Sequence, residues 1–180
     1  MSIPKPAEKA KLVIGSYMHD RSLFGELLDK LVDLFGDPDM ISAWMPFGDT
    51  VYYEEEMGSP LWRRLVSFER LIDQLDLSEI KLATNRIESE YVFSEKRRIN
   101  IDPGFMLSEK FVLATGKNFS HRIHVGSGIY ADLTLIYREK KFQSLPWTYP
   151  DYLKGDMTGY LERIREKYRL DLERRKPSLE

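Results

Sequence analysis

Cysteine is absent from the chain. Disulfides, thiolate metal sites and cysteine nucleophiles are therefore excluded. Histidine is scarce, with three residues, and no H-E-x-x-H zinc pattern occurs. Ser120 and His121 are sequence neighbours, so on a strand they cannot face each other as nucleophile and base. Neither a G-x-x-x-x-G-K-[ST] phosphate loop nor a G-x-G-x-x-G dinucleotide fingerprint is present, and a paired H-x-T phosphoesterase signature is missing too. No run of about 18 apolar residues exists, so no membrane-spanning helix is expected. The opening MSIPKPAEKAK lacks an apolar signal core, and a cytoplasmic location is the expectation. Charge of one sign is lacking as well: 27 basic and 29 acidic side chains give a formal charge of −2. That balance argues against a strong nucleic-acid footprint while leaving room for a local basic patch.

What is present describes an ordinary domain, 42% hydrophobic and 31% charged over 180 residues. Residues 1–10 read as a flexible tail, 11–176 as a single α+β domain and 177–180 as a second tail. Leu12–Gly15 is a short buried strand. The stripe Phe24, Leu27, Leu28, Leu31, Leu34 and Phe35 has helical spacing, with Asp20 or Ser22 as cap and Gly36 as stop. Met40–Phe47 and Trp62–Arg70 read as strands, and 77–92 as a helix burying Leu77, Ile80, Ile87 and Tyr91. His19, at the first strand-to-helix turn, reads as a surface loop residue. The acidic run Glu54-Glu55-Glu56, with Tyr52 and Tyr53, reads as a solvated turn, because consecutive side chains diverge and cannot close on one ion. A last helix carries Met157, Tyr160, Leu161, Ile164, Tyr168 and Leu172 on one stripe. The predicted class is α+β, a mainly antiparallel sheet of about five to seven strands with helices packed on one face.

The stretch 97–137 holds the densest set of polar residues in strand-like sequence. Strands alternate their side chains between two faces. Arg98, Asn100 and Asp102 oppose Ile99 and Ile101; Arg122 and His124 oppose Ile123 and Val125; Tyr130, Asp132 and Thr134 oppose Ala131, Leu133 and Leu135. Turns are expected at Asp102-Pro103-Gly104, Gly116-Lys117-Asn118 and Gly126-Ser127-Gly128. A solvated sheet face explains the alternation. The residue types point further, since Asn and Asp weaken strands and a ligand contact would account for Asn100, Asp102 and Asp132. Lys81, Asn85 and Glu88 share one flank of the 77–92 helix, either as an exposed Lys–Glu face or as an edge overlooking the polar sheet face.

These residues resemble a bacterial family known as domain of unknown function 4416. The resemblance rests on YYEEEMG, LVSFERLI, IKLATNRIE, RRINIDPGFM, LATGKNFSHRI, GIYADLTLIY and LPWTYPDY, in that order and over nearly the whole chain. Asp132 stands where that pattern leads one to expect a glutamate. Some members carry the label GTP-binding protein, which the missing phosphate loop does not support. The family implies no established activity.

Three functions remain open. The first is an enzyme or binding protein for a phosphorylated small molecule or nucleotide. Its ligand contacts would come from Arg98, Asn100, Lys117, Asn118, Arg122, His124, Tyr130, Lys81, Asn85 and Glu88, and its catalytic groups would be Asp102, Asp132 and His121. Mg²⁺ is a possible cofactor, with Asp102, Asp132, Glu69 and Glu88 as candidate ligands. The second is an RNA-binding or RNA-processing module stacking bases on Tyr130, Trp147 and Tyr149. The third is a non-catalytic interaction domain. Oligomeric state is open.

Overall fold

A computed structural model describes residues 1–48 and 54–175. Its elements are β1 (Ala10–Met18), α1 (Phe24–Phe35), β2 (Pro38–Ile41), β3 (Met45–Phe47), α2 (Glu54–Met57), β4 (Leu61–Ile72), α3 (Leu77–Glu90), β5 (Val92–Phe93), β6 (Lys96–Arg97), β7 (Ile99–Met106), β8 (Lys110–Thr115), β9 (Arg122–Gly126), β10 (Ile129–Arg138), β11 (Lys141–Ser144) and α4 (Gly155–Arg174). Nine strands form one sheet in the order β11-β10-β8-β7-β1-β4-β2, with β9 beside β10 and β3 beside β4. Every pairing is antiparallel. The class is therefore α+β. The sheet is wider than the expected five to seven strands because 40–47 splits into β2 and β3 and because β9 and β11 share one side of β10.

Alternation decides which helix covers which face. Leu12, Ile14, Met18, Val66, Phe68, Ile99 and Ile101 point one way, onto Phe24, Leu27 and Leu31 of α1 and Ile80 and Ile87 of α3. Val13, Leu65 and Met106 point the other way, onto Met157, Leu161 and Ile164 of α4. So α1 and α3 cover one face and α4 covers part of the second, whereas the sequence predicts helices on one face alone. The strands β1 and β4 are apolar on both sides, Val13 and Leu65 facing α4. Each fully buried Leu or Ile on these faces contributes about 1.5–3 kcal/mol from leaving water. No helix among the described residues is long and apolar enough to cross a membrane.

Local chemistry sets the helix ends. Asp20 accepts from the Ser22 N–H at 3.0 Å and starts a 3-10 turn that leads into α1. Gly36, at φ +85°, ends that helix. Asp73 and Asp76 form a reciprocal capping box ahead of α3.

Three sequence expectations change. Asp102-Pro103-Gly104 is not a turn; it lies inside β7. Proline survives there because strand alternation turns its nitrogen toward the side where β7 has no neighbour before Gly104. Leu133 and Leu135 do not share a face. The register slips between them opposite β8, so Leu135 is fully buried against α4 while Leu133 is only half-buried on the α3 side. The acidic run Glu54-Glu55-Glu56 is not a turn; it opens the short helix α2, while Tyr52 and Tyr53 lie outside the described residues.

One buried feature had no sequence signal. Lys11, fully buried on β1, pairs with Asp39 and, at 2.7 Å, with Asp171 of α4, and donates to the Phe68 carbonyl at 2.9 Å. Lys167 closes the cluster, 3.2 Å from Asp39 and 2.5 Å from Asp171. The partners are far apart in sequence, so local pattern cannot expose them.

Candidate functional site

The polar residues of β7 stand where the sheet parts. This strand pairs with β1 from Ile99 to Met106 but with β8 only from Gly104. A Cβ on Gly104 would lie 2.3 Å from the Val112 carbonyl, so glycine permits that close approach. Before it, the free edge of β7 is completed by a helix. The Ile101 N–H donates to Glu88 Oε1 at 2.5 Å, and Lys81 Nζ donates to the Ile101 carbonyl at 2.7 Å. Lys81 and Glu88 are two turns apart on one face of α3, both buried. Burial pushes the Glu88 carboxyl above its ordinary range, against the lowering effects of Lys81 and Arg97.

Asn100 and Asp102 project to the opposite face from Ile99 and Ile101. Arg97 donates to Asn100 Oδ1 at 3.1 Å and grips Glu56 at 2.6 and 2.8 Å. Those bonds hold the Glu56 carboxyl below its usual range. The Asn100 amide nitrogen is buried and finds no acceptor. Asp102 stays partly open, 3.6 Å from Lys81. Tyr17 lies opposite Asn100 in register, and burial pushes its phenol well up.

Continuing that register past Met18 and Ile99 brings His19 beside Arg98. These two, with Asp20, Arg21 and Met57, line an open cleft of about 500 Å³. His19 Nδ1 donates to the Pro60 carbonyl at 3.0 Å, which leaves Nε2 facing away from that bond. Asp20 accepts from Ser22 and, at 3.2 Å, from Arg98. Hydrogen bonds from Ser22 hold its carboxyl low. The Arg21 guanidinium lies over the Trp62 ring, 4.8 Å from its centroid.

A third group sits on β9 and β10. Asp132 accepts from Arg122 Nε at 2.9 Å and lies 3.2 Å from His121 Nε2. The His121 ring stacks on Trp147 at 4.6 Å, and Trp147 Nε1 donates to the Leu133 carbonyl at 2.8 Å. Arg122 also donates to the Lys117 carbonyl and the Tyr149 hydroxyl. His124 packs against Tyr130, with ring centroids 5.3 Å apart.

The sequence profile of the domain of unknown function DUF4416 matches residues 8–168. The chain belongs to that family. No curated protein and no solved structure shows a significant match.

In this DUF4416 chain the sequence-predicted residues thus divide among three places. Asn100, Asp102, Lys81 and Glu88 meet at the break in the sheet. Asp132, His121 and Arg122 bind one another on β9 and β10, with Lys117 and exposed Asn118 on the adjoining turn. Arg98 belongs to the cleft with His19. Asn85 points to solvent, and exposed Glu69 stands at the far end of β4, where its N–H bonds Asp37. Among the described residues no three His, Asp or Glu side chains converge as a metal-holding group. The proposed ligands Asp102, Asp132, Glu69 and Glu88 do not form one set. Sequence reasoning missed Arg21, Arg97 and Glu56. Arg97 adjoins Arg98, but strand alternation sets it out of phase with Asn100, and its partner on α2 is 41 residues away.

Proposed function

We propose that the protein binds a phosphorylated small molecule or a nucleotide, with a phosphate held between His19, Arg21 and Arg98. The carrying observation is the charge of the cleft: two guanidiniums against one carboxylate, Asp20, with the His19 imidazole beside them. Guanidiniums bind phosphate with paired, charge-assisted hydrogen bonds. Arg122, a candidate phosphate ligand from sequence, is already spent on Asp132, Lys117 and Tyr149, so Arg21 takes its place beside Arg98. The rest of the ligand would lie along the polar sheet face, toward the partly open carboxylate of Asp102. Mg²⁺ needs only one or two protein carboxylates when phosphate and water complete its shell. We assign that role, or that of general base, to Asp102, the partly open carboxylate four residues along β7 from Arg98 and 3.6 Å from Lys81, toward the part of the ligand that extends out of the cleft.

The RNA reading ranks behind because two of its three stacking rings are engaged: Trp147 by His121 and Leu133, and Tyr149 by Arg122. The test is a thermal-shift panel of nucleotides and sugar phosphates, with and without Mg²⁺. A ligand that binds only the native state raises the Tm. We expect at least one phosphorylated compound to do so in the wild type and not in Arg21→Ala or Arg98→Ala. If no compound shifts the wild type, the interaction-domain reading leads.

A further inference from the structure

We infer that His19 is a phosphoryl acceptor: its Nε2 attacks the terminal phosphorus of a phosphoric anhydride and carries the phosphoryl group as a phosphohistidine. This rests on the phosphate reading of the cleft and names the chemistry of that same site. The donor is an acyl phosphate or a nucleoside triphosphate, which share the anhydride linkage.

Three observations support it. The first is the tautomer. A carbonyl oxygen only accepts, so the 3.0 Å bond to the Pro60 carbonyl puts the ring proton on Nδ1. In the neutral ring Nε2 then carries the lone pair, which is the state a nucleophile needs. The second is placement. His19 is exposed and lines the cleft of about 500 Å³. Gly58, at φ +86°, lays bare backbone against the root of the ring: a Cβ there would lie 3.4 Å from His19 Cγ. That contact and the Pro60 bond fix the ring and leave its Nε2 edge to the cleft. The third is charge. Arg98 spends Nη2 on Asp20, one of the five donors in its fork. Arg21 stacks on Trp62 through the face of its guanidinium, and its N–H groups lie in the guanidinium plane. Two guanidiniums are thus placed to hold the oxygens of a phosphoryl group in transfer. The other two histidines differ. His121 is committed to Asp132 and Trp147, His124 packs on Tyr130, and neither lines this cleft.

Proton supply chooses the donor class. Cleaving a phosphate ester releases an alkoxide, which needs a proton from a general acid. Asp20 accepts from the Ser22 N–H, the Ser22 hydroxyl and Arg98, at 3.0, 2.6 and 3.2 Å, so it is a carboxylate with no proton to give. The other described residues around the ring, Arg21, Arg98 and Met57, are not acids at neutral pH. An anhydride instead releases a carboxylate or a nucleoside diphosphate, each stable without a proton. In the step, the Nε2 lone pair forms the N–P bond. The P–O bond to the leaving group breaks, and its electron pair departs on that oxygen. Nδ1 keeps its proton, and the positive charge left on the ring faces the Pro60 carbonyl.

The experiment incubates the protein with acetyl phosphate and, separately, with ATP and Mg²⁺. Peptide mass spectrometry under alkaline conditions, where phosphohistidine survives, then maps the label. We expect His19 to be labelled by at least one donor, and the donor that works identifies the source as acyl phosphate or nucleotide. His19→Gln should lose the label. Arg98→Ala removes a donor to the phosphoryl oxygens and should slow labelling about a hundredfold. His121 and His124 should stay unlabelled. Melting curves establish that each variant folds; should His19→Gln fail to fold, the position mapped in the wild type and the rate in Arg98→Ala decide. No label on His19 from either donor, equal label on His121 or His124, or an unchanged rate in folded Arg98→Ala would overturn the inference. The phosphate reading fails separately: it survives a missing label if a phosphorylated compound raises the wild-type Tm, and falls if none does.

Discussion

Glu88 of α3 and Ile101 of β7 form the hydrogen bond that a neighbouring strand would otherwise make: Oε1 accepts the Ile101 N–H at 2.5 Å. Removing the acceptor leaves a buried donor unsatisfied. Glu88→Ala should therefore destabilise the protein by about 1–3 kcal/mol. Urea denaturation measures this, and an unchanged midpoint would mean that β7 finds another partner.

The same residue predicts a pH dependence of definite sign. Burial raises the Glu88 carboxyl in the folded state. The folded protein then binds this proton more readily than the unfolded chain. Its contribution is complete below the unfolded value and is lost as pH rises through the folded value. Glu88→Gln removes this titration. The stability of wild type relative to Glu88→Gln should fall as pH rises across the carboxylate range; a rising difference would refute the assignment.

Asp39 and Asp171 behave oppositely. Burial alone would raise both carboxyls, but hydrogen bonds from Lys11, joined by Ser67 at Asp39 and Lys167 at Asp171, outweigh it and hold both low. Their contribution is present above the unfolded values and is lost as pH falls through the folded ones. Lys11→Met leaves two buried carboxylates sharing only the more exposed Lys167 and should cost about 3–5 kcal/mol near neutral pH. A fall in Tm that shrinks on acidification, as the stranded carboxylates protonate, is the expected signature.

Gly104→Ala tests the close approach of β7 to β8. The new methyl would lie 2.3 Å from the Val112 carbonyl, and a backbone atom cannot swing aside as a side chain can. Overpacking of this kind costs about 1–3 kcal/mol. A variant as stable as wild type would show that the two strands can separate freely.

Asp132→Asn should lower the Tm, because Arg122 and His121 lose the charge they bind. Hydrogen bonds to charged groups are worth about 1.5–3 kcal/mol, which sets the expected loss. A Tm equal to or above wild type would instead mark Asp132 as a functional carboxylate held at a stability cost.

Much of this architecture was legible because its signals are local. The 24–35 stripe, the Gly36 stop and the Gly126–Gly128 hairpin act over a few residues. Asn100 and Asp102 stood out as poor strand residues, and the sheet opens beside them. The same opening hid Pro103, which reads as a turn only if every strand position needs a donor. The slip between Leu133 and Leu135 depends on the neighbouring β8, so alternation counted along β10 alone put both on one face. The Lys11 cluster and the Arg97–Glu56 pair depend on side chains distant in sequence, for which periodicity carries no information.

The phosphate-cleft account is tested most directly by mapping a bound ligand on the protein. Amide and arginine Nε–H signals should be followed by NMR while the compound with the largest thermal shift is titrated in. The account predicts that the perturbed signals centre on residues 19–21, 57–58 and 97–102, including the Nε–H groups of Arg21 and Arg98. Perturbations centred on residues 117–124 of the β9 region, or none at saturating ligand, would contradict it.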